Sequence, residues 1–356
     1  MELTKSTIED IDTQQMWDLL VDFPNQWNEA VETTEQLEIS LDPKKIKTIC
    51  IAGMGGSAIA GDLIQAYTKD TAPVPVEVVK GYEVPHWVNE ETLMVASSFS
   101  GDTEETLAAL RQARKKGATP VAITAGGELM LRATRDHFDY FKIPSDIRAR
   151  AAVGYSFIIL FRIFQKLGFL NEGREALSET RQFLENQVEL LSNHRDNEAL
   201  TLARDLAETL PVVYTNNNFM KAVGMRWCTQ FEENSKTLAY RNEFPEMTHT
   251  EIVGWERVAH LTGRLSILFL MDREDGDRIE QRMNITRELI EDQADSIIIL
   301  KTRGESRLTR MFSLIQLADW TSFYLAIING VDPSPVAKID LFKSKLAESP
   351  DLGSGN

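Results

Sequence analysis

Residues 46–58 read IKTICIAGMGGSA, an apolar run that ends in a glycine-rich turn. The run predicts a buried β-strand, and the residues after the turn predict a helix. Several glycines let the backbone approach a ligand, and a helix N-terminus offers free N–H groups to an anion. The turn also fits the dinucleotide pattern G-x-G-x-x-A from Gly53 to Ala58, or a plain tight connection. The stretch therefore predicts an α/β fold and leaves the ligand open.

A second turn of this kind occurs later in the chain. The letters SSFSGDT at 97–103 follow an apolar run at 92–97 and precede a helical pattern at 104–116. Hydroxyl and N–H groups there suit a phosphate without a metal ion, although Asp102 or Thr103 could simply cap the helix. Ligands of open α/β sheets bind at the carboxyl ends of the strands, so we expect both turns to face one ligand.

The alternation of strands and helices continues on both sides of a long helical stretch at 151–206. Further strands are predicted at 74–80, 120–124, 140–144, 211–214, 265–271 and 296–300, and further helices at 220–238, 278–293 and 306–328. We predict an α/β fold of two lobes, each a parallel sheet flanked by helices in three layers. The expected domains are a helical arm with the first lobe (1–170), a helical connection (171–205), and the second lobe with a C-terminal helix (206–356).

Composition limits the classes of partner. The chain has 356 residues and a formal net charge of -16, which argues against nucleic acid and acidic membrane surfaces. No run of about eighteen apolar residues occurs, which argues against a membrane span. Cys50 and Cys228 are expected to be free thiols in a reducing, cytoplasmic environment. The five histidines include no close pair at ligand spacing, so no metal site is predicted.

Ionisable residues are concentrated in two neighbouring segments, EENSK at 232–236 and NEFPEMTHTE at 242–251. Carboxylates and a histidine are the groups that proteins use to move protons. On the residues alone, a solvated acidic helix end and a structural histidine explain the cluster equally well.

Together, GMGGS at 53–57, SFSGDT at 98–103 and the pattern N-E-x-P-E-x-x-H at 242–249 resemble the sugar-isomerase (SIS) fold. In particular they resemble the bifunctional phosphoglucose/phosphomannose isomerase family, over about residues 46–345. The resemblance implies two SIS-type lobes and no cofactor. It also implies interconversion of glucose 6-phosphate, and of mannose 6-phosphate, with fructose 6-phosphate through ring opening and a cis-enediol(ate).

The resemblance also implies roles for individual residues. Glu233 would transfer the proton between C1 and C2, His249 would open the sugar ring, Arg150 would stabilise the enediolate, and Lys343 would assist ring opening. The implied phosphate ligands are Gly56, Ser57, Ser98, Ser100 and Thr103. Ala149 stands where the family usually has proline, and Thr250 where it usually has asparagine, which leaves the loop geometry and the breadth of substrates open.

The sequence leaves two other functions open, and it also suggests that two chains assemble. The G-x-G-x-x-A turn, with Glu77 in the next strand, is also compatible with a nicotinamide-dependent oxidoreductase. SIS lobes also serve as non-catalytic sugar-phosphate sensors. The segment at 240–256 is long enough to reach a neighbouring subunit, and the resemblance implies a homodimer in which His249 completes the partner's site.

Overall fold

A computed structural model describes residues 3–35, 41–171, 173–257 and 263–348. The chain opens with three short helices, Lys5–Ile11 (α1), Met16–Val21 (α2) and Phe23–Thr33 (α3). Trp27 of α3 is fully buried, and its indole N–H donates to the carbonyl of Leu177. The first helices are therefore part of the core.

The first lobe is a five-stranded parallel sheet in the order β2-β1-β3-β4-β5. Its elements are β1 (Thr48–Ala52), α4 (Gly55–Thr68), β2 (Val76–Val79), β3 (Thr92–Ser98), α5 (Glu104–Lys115), β4 (Thr119–Thr124), α6 (Gly127–Arg135) and β5 (Tyr140–Lys142). Every residue of the central strand β3 is buried, which matches the continuous apolar run expected when helices cover both faces of a sheet.

Three helices, α7 (Val153–Lys166), α8 (Arg174–Leu191) and α9 (Glu198–Asp205), join this lobe to a second one. The second sheet is also parallel, with strand order β7-β6-β8-β9. Its elements are β6 (Leu210–Asn216), α10 (Met220–Glu233), β7 (Tyr240–Phe244), α11 (Glu251–Gly254), β8 (Leu265–Met271), α12 (Asp277–Ile290), β9 (Ser296–Lys301), α13 (Arg307–Ile328) and α14 (Ala337–Glu348). The predicted α/β fold with two parallel-sheet lobes is confirmed.

The structure corrects several local predictions, three of which bear on the site and its surroundings. The helix predicted at 220–238 ends at Glu233, because the chain leaves helical geometry and Lys236 takes a left-handed backbone with a φ of 56°. Strand β7, with the sequence YRNEF, was not predicted, since only its last residue is buried. Helix α6 was not predicted either, and only two of its nine residues are buried.

Helix α13 is the centre of the core. It is the one helix of the described chain that is long and apolar enough to cross a membrane, yet 94% of its most apolar window is buried inside the protein. Phe312 of α13 packs edge-on against Trp27 and Phe157 at ring distances of 4.7 and 5.0 Å. The apolar character of α13 therefore reflects its burial by helices from both halves of the chain.

The direction of α10 determines which edges of the two sheets meet. Helix α10 follows the carboxyl end of β6 and returns the chain to the amino end of β7, and it packs against α4 of the first lobe. The last turn of α10 therefore lies at the amino edge of the second sheet. The carboxyl edge of that sheet, where β7 ends, lies about 16 Å away, since a five-residue strand has about that length.

Candidate active site

The two predicted anion turns form one surface at the carboxyl edge of the first sheet. Because β1 and β3 are neighbouring parallel strands, their turns adjoin, and the N–H of Phe99 donates to Ser57 Oγ at 3.0 Å. The hydroxyl oxygens of Ser98 and Thr103 are 2.8 Å apart, and the N–H of Gly101 donates to Ser98 Oγ. Ser100, at the tip of the turn, is exposed. The structure thus brings together the hydroxyl groups that the sequence suggested.

A third turn, between β4 and α6, supports this surface from the side. Gly101 has a φ of 79°, and a Cβ there would lie 1.9 Å from the carbonyl oxygen of Gly126. Asp102 Oδ1 accepts from the N–H of Glu128 in the first turn of α6. Asp102 therefore caps α6, and not the helix that follows it in sequence, and it holds the hydroxyl-rich turn against its neighbour.

Arg150 lies beside the glycine-rich turn. It occupies a short 3₁₀ helix, Ala149–Ala151, and a Cβ added to Gly56 would lie 3.0 Å from the Arg150 backbone nitrogen. The Arg150 side chain is buried, with 5% of the residue exposed. Its Nε donates to Asn234 Oδ1 at 2.6 Å, and its Nη2 donates to the carbonyls of Pro333 and Ser334 at 2.6 and 2.7 Å.

Glu233, the last residue of α10, faces this guanidinium. One of its carboxylate oxygens is 3.6 Å from Arg150 Nη1, and 24% of its side chain is exposed. Burial lowers the pKa of Arg150 from its ordinary value, while the Glu233 carboxylate opposes that shift. A half-buried carboxylate thus lies next to a fixed cation, and the backbone of that cation lies against the glycine-rich turn.

A buried polar network fixes this pair. Arg226 of α10 donates to the Asp319 carboxylate at 3.0 and 2.9 Å and to the carbonyl of Arg150 at 2.7 Å. Asn234 Nδ2 donates to Ser322 Oγ, which lies on α13 one turn after Asp319. No sequence pattern pointed to Arg226, Asp319 or Ser322, and Asn234 was marked only by its place beside Glu233 in the segment EENSK at 232–236.

Lys236 lies in the same segment, and no role was predicted for it. Its Nζ donates to the carbonyl of Glu233 at 2.6 Å and to those of Asn234 and Pro333 at 3.3 Å. Burial, assisted by the nearby Arg150 cation, lowers the pKa of Lys236 to about 8. Lys236 therefore belongs to the same cluster as Arg150 and Glu233.

His249 is not part of this cluster within one chain. It is exposed in the 3₁₀ helix Glu246–His249, which follows the carboxyl end of β7. Glu233 is at the other edge of the same sheet, so roughly the length of a strand separates the two residues. Lys343 is exposed on α14 and forms no hydrogen bond or ion pair with another described residue.

Glu251 anchors the segment that carries His249. Its carboxylate accepts from the hydroxyls of Tyr214 and Tyr240 and from Asn242 Nδ2. These three donors belong to β6 and β7, so the chain beyond β7 is attached to the sheet and does not extend freely into solvent. His249 is therefore presented at the carboxyl edge of the second sheet.

Comparison with known proteins identifies the family. Residues 44–145 match the model of the SIS domain, and residues 195–346 match that of the bacterial phospho-glucose isomerase C-terminal SIS domain. A bifunctional phosphoglucose/phosphomannose isomerase of Caldicellulosiruptor bescii is 40% identical over 339 residues, which cover 94% of this chain and 100% of that protein. The chain belongs to the bifunctional phosphoglucose/phosphomannose isomerase family.

A second relative agrees with this family assignment, and a solved structure shares the fold. A bifunctional phosphoglucose/phosphomannose isomerase of Aquifex aeolicus is 33% identical over 310 residues, covering 87% of this chain and 93% of that one. The C-terminal domain of a glucosamine-fructose-6-phosphate aminotransferase from Francisella tularensis superposes with a TM-score of 0.69 at 17% identity, covering 90% of this chain and 98% of that one. At this identity the second likeness shows the shared fold alone.

The close contact between the hydroxyl-rich turn and its neighbour predicts a stability effect. We expect Gly101→Ala to lower the free energy of unfolding by about 1–3 kcal/mol, because the new Cβ meets backbone and the φ is positive. Gly81→Ala is the control, since nothing lies within 4 Å of a Cβ there. Urea denaturation of both variants measures the effect, and equal stability of the two would contradict the close contact.

Proposed function

We propose that this chain interconverts glucose 6-phosphate and mannose 6-phosphate with fructose 6-phosphate, as a cytoplasmic enzyme without a metal ion or other cofactor. The observation that carries the proposal is the Glu233–Arg150 pair, 3.6 Å apart, beside a surface of hydroxyl and N–H groups. The family relationship supports it, because the relatives are named for both sugar phosphates.

The proposed phosphate ligands lie at the carboxyl edge of the first sheet. The hydroxyls of Ser100 and Thr103 and the N–H groups at the start of α4 can donate to phosphate oxygens, whereas Ser57 and Ser98 are buried and are proposed as phosphate ligands by resemblance. Gly56 lacks a side chain, so the start of α4 can lie against the Arg150 backbone. The phosphate would hold the sugar with its reacting carbons toward Arg150.

Proton transfer is proposed for Glu233. An aldose and its ketose differ in the place of two protons, one on carbon (C2 or C1) and one on oxygen (O2 or O1). One carboxylate between the two carbons can take the carbon-bound proton from either and return it to the other, while the hydroxyl proton moves between the two oxygens. The intermediate carries negative charge on the oxygens of C1 and C2. The Arg150 guanidinium is held by carbonyl and amide oxygens before substrate arrives, so it can stabilise that charge without reorganising.

Ring opening is proposed for His249 of the partner subunit in a homodimer. Within one chain, His249 and Glu233 lie at opposite edges of the second sheet, so one sugar cannot contact both. A twofold axis would bring the carboxyl edge of one second sheet to the Glu233 end of the other. Lys343 is proposed, by resemblance alone, to assist ring opening from α14.

The oxidoreductase hypothesis has less support from the structure. Glu77 is exposed and is the second residue of β2, whereas ligands of such sheets bind beyond the carboxyl ends of the strands. The oxidoreductase hypothesis also assigns no ligand to the hydroxyl-rich turn.

Glu233→Gln tests the proposed base. It keeps the shape of the side chain and removes the proton acceptor, so we expect kcat to fall by about a hundredfold to ten-thousandfold while sugar-phosphate binding persists. A coupled assay with each of the two aldose phosphates, run with and without a chelator, measures kcat, and calorimetry measures binding. Glu232→Gln, at an exposed neighbour on the same helix, is the control. Near-normal turnover by Glu233→Gln would refute the assignment.

A mixed dimer tests the exchange of His249. In a dimer of one Glu233→Gln chain and one His249→Ala chain, one site carries both lesions and the other carries neither. Random pairing gives about half heterodimers, so co-refolding equal amounts should restore roughly a quarter of wild-type activity.

The two variants refolded separately are the controls, and each should stay inactive. Native mass spectrometry shows whether heterodimers form. Heterodimers without recovered activity would place both residues in the site of one chain.

A further inference from the structure

Lys236 has an unusual backbone for a lysine. It follows α10 by three residues and adopts a φ of 56°, a left-handed conformation that glycine or asparagine usually takes after a helix. Glycine would satisfy this turn with less strain. The lysine side chain is therefore expected to have a role of its own.

The lysine ammonium connects two segments of the site. Although much of the side chain is exposed, its Nζ lies against three carbonyl oxygens, and an ammonium group has three protons to donate. Two of the carbonyls, of Glu233 and Asn234, end α10. The third, of Pro333, also accepts from Arg150 Nη2 at 2.6 Å. Arg150 and Lys236 thus share one acceptor.

The charges around Lys236 come from three segments. Arg150 from its 3₁₀ helix disfavours the ammonium, whereas Glu233 of α10 and Asp332 from the turn before α14 favour it. The partial burial of the Lys236 ammonium among these carbonyls has the largest influence on its pKa, and it also disfavours the charged form. The proton is held less firmly than on a lysine in water.

We propose that Lys236 is a positioning residue for the isomerase reaction, whose ammonium ties the Glu233 end of α10 to the turn that holds Arg150. The proposal rests on the proposed function above. A neutral amine has two protons for three carbonyls and no charge, so the tie loosens when the ammonium loses its proton. The Lys236 side chain then no longer fixes the distance between the Glu233 carboxylate and the Arg150 guanidinium.

Loss of the Lys236 proton is expected to affect activity and stability in different ways. As the pH rises through about 8, folded Lys236 loses its proton and kcat should fall. The unfolded chain keeps that proton up to a pH of about 10.5, so this group disfavours folding at low pH, and its unfavourable contribution shrinks as the pH rises from about 8 to 10.5. A loss of activity without a loss of stability is therefore expected above pH 8.

Two substitutions test the proposal. Lys236→Met removes the donors, and we expect kcat to fall by about tenfold to a hundredfold at pH 7 with little change in KM. Lys236→Arg keeps a charge that arginine does not lose below a pH of about 12, so its kcat should persist above pH 9, where the wild type declines. Both are assayed with fructose 6-phosphate from pH 6.5 to 9.5, with thermal unfolding measured at each pH.

Lys166→Met, at an exposed lysine in the last turn of α7, is the matched control and should follow the wild type throughout. An identical alkaline decline in the wild type and Lys236→Arg, or an unchanged kcat in Lys236→Met, would overturn the role of Lys236. The Lys236→Arg profile decides the matter if the methionine variant is unstable. A wild-type protein inactive on every sugar phosphate would instead overturn the proposed function, and this role with it.

Discussion

The site depends on one constraint, the burial of the Arg150 charge. Moving a cation out of water costs several kcal/mol unless nearby groups replace the lost hydration. Here the replacement comes from Asn234, from the carbonyls of Pro333 and Ser334, and from Glu233. Burial lowers the pKa of Arg150, but arginine starts so high that it keeps its charge. The guanidinium therefore fixes the end of α10 and the turn before α14 around itself.

The two lobes share an architecture but differ in chemistry at their carboxyl edges. In the first lobe the turns carry hydroxyl groups and glycines, and Asp102 faces α6. In the second lobe, Asp275 accepts from Asn216 and Asn218, and Asp272 accepts from Arg310 at 2.8 Å. Carboxylates at that edge would repel a phosphate. In the proposed site, the first lobe binds the anion and the second contributes Glu233 from its amino edge.

Sequence patterns predicted most of the sheet architecture and the hydroxyl groups at 98–103, because buried strands and glycine-rich turns leave local signatures. The short polar strand β7 left none, since its partner β6 and the carboxylate of Glu251 hold it in place. Lys236 could not be assigned from sequence for a similar reason. Its partner, the carbonyl of Pro333, is 97 residues away, and a backbone oxygen has no sequence signature.

A crystal structure of the Glu233→Gln protein with fructose 6-phosphate would show how one sugar phosphate lies between the two lobes. We expect the phosphate on the hydroxyls of Ser100 and Thr103. We expect C1 and C2 within about 3.5 Å of the residue 233 side chain, their oxygens toward Arg150, and the second subunit's imidazole at the ring oxygen. A phosphate bound directly by the Arg150 guanidinium, with the sugar carbons turned away from residue 233, would contradict the proposed roles of Glu233 and Arg150.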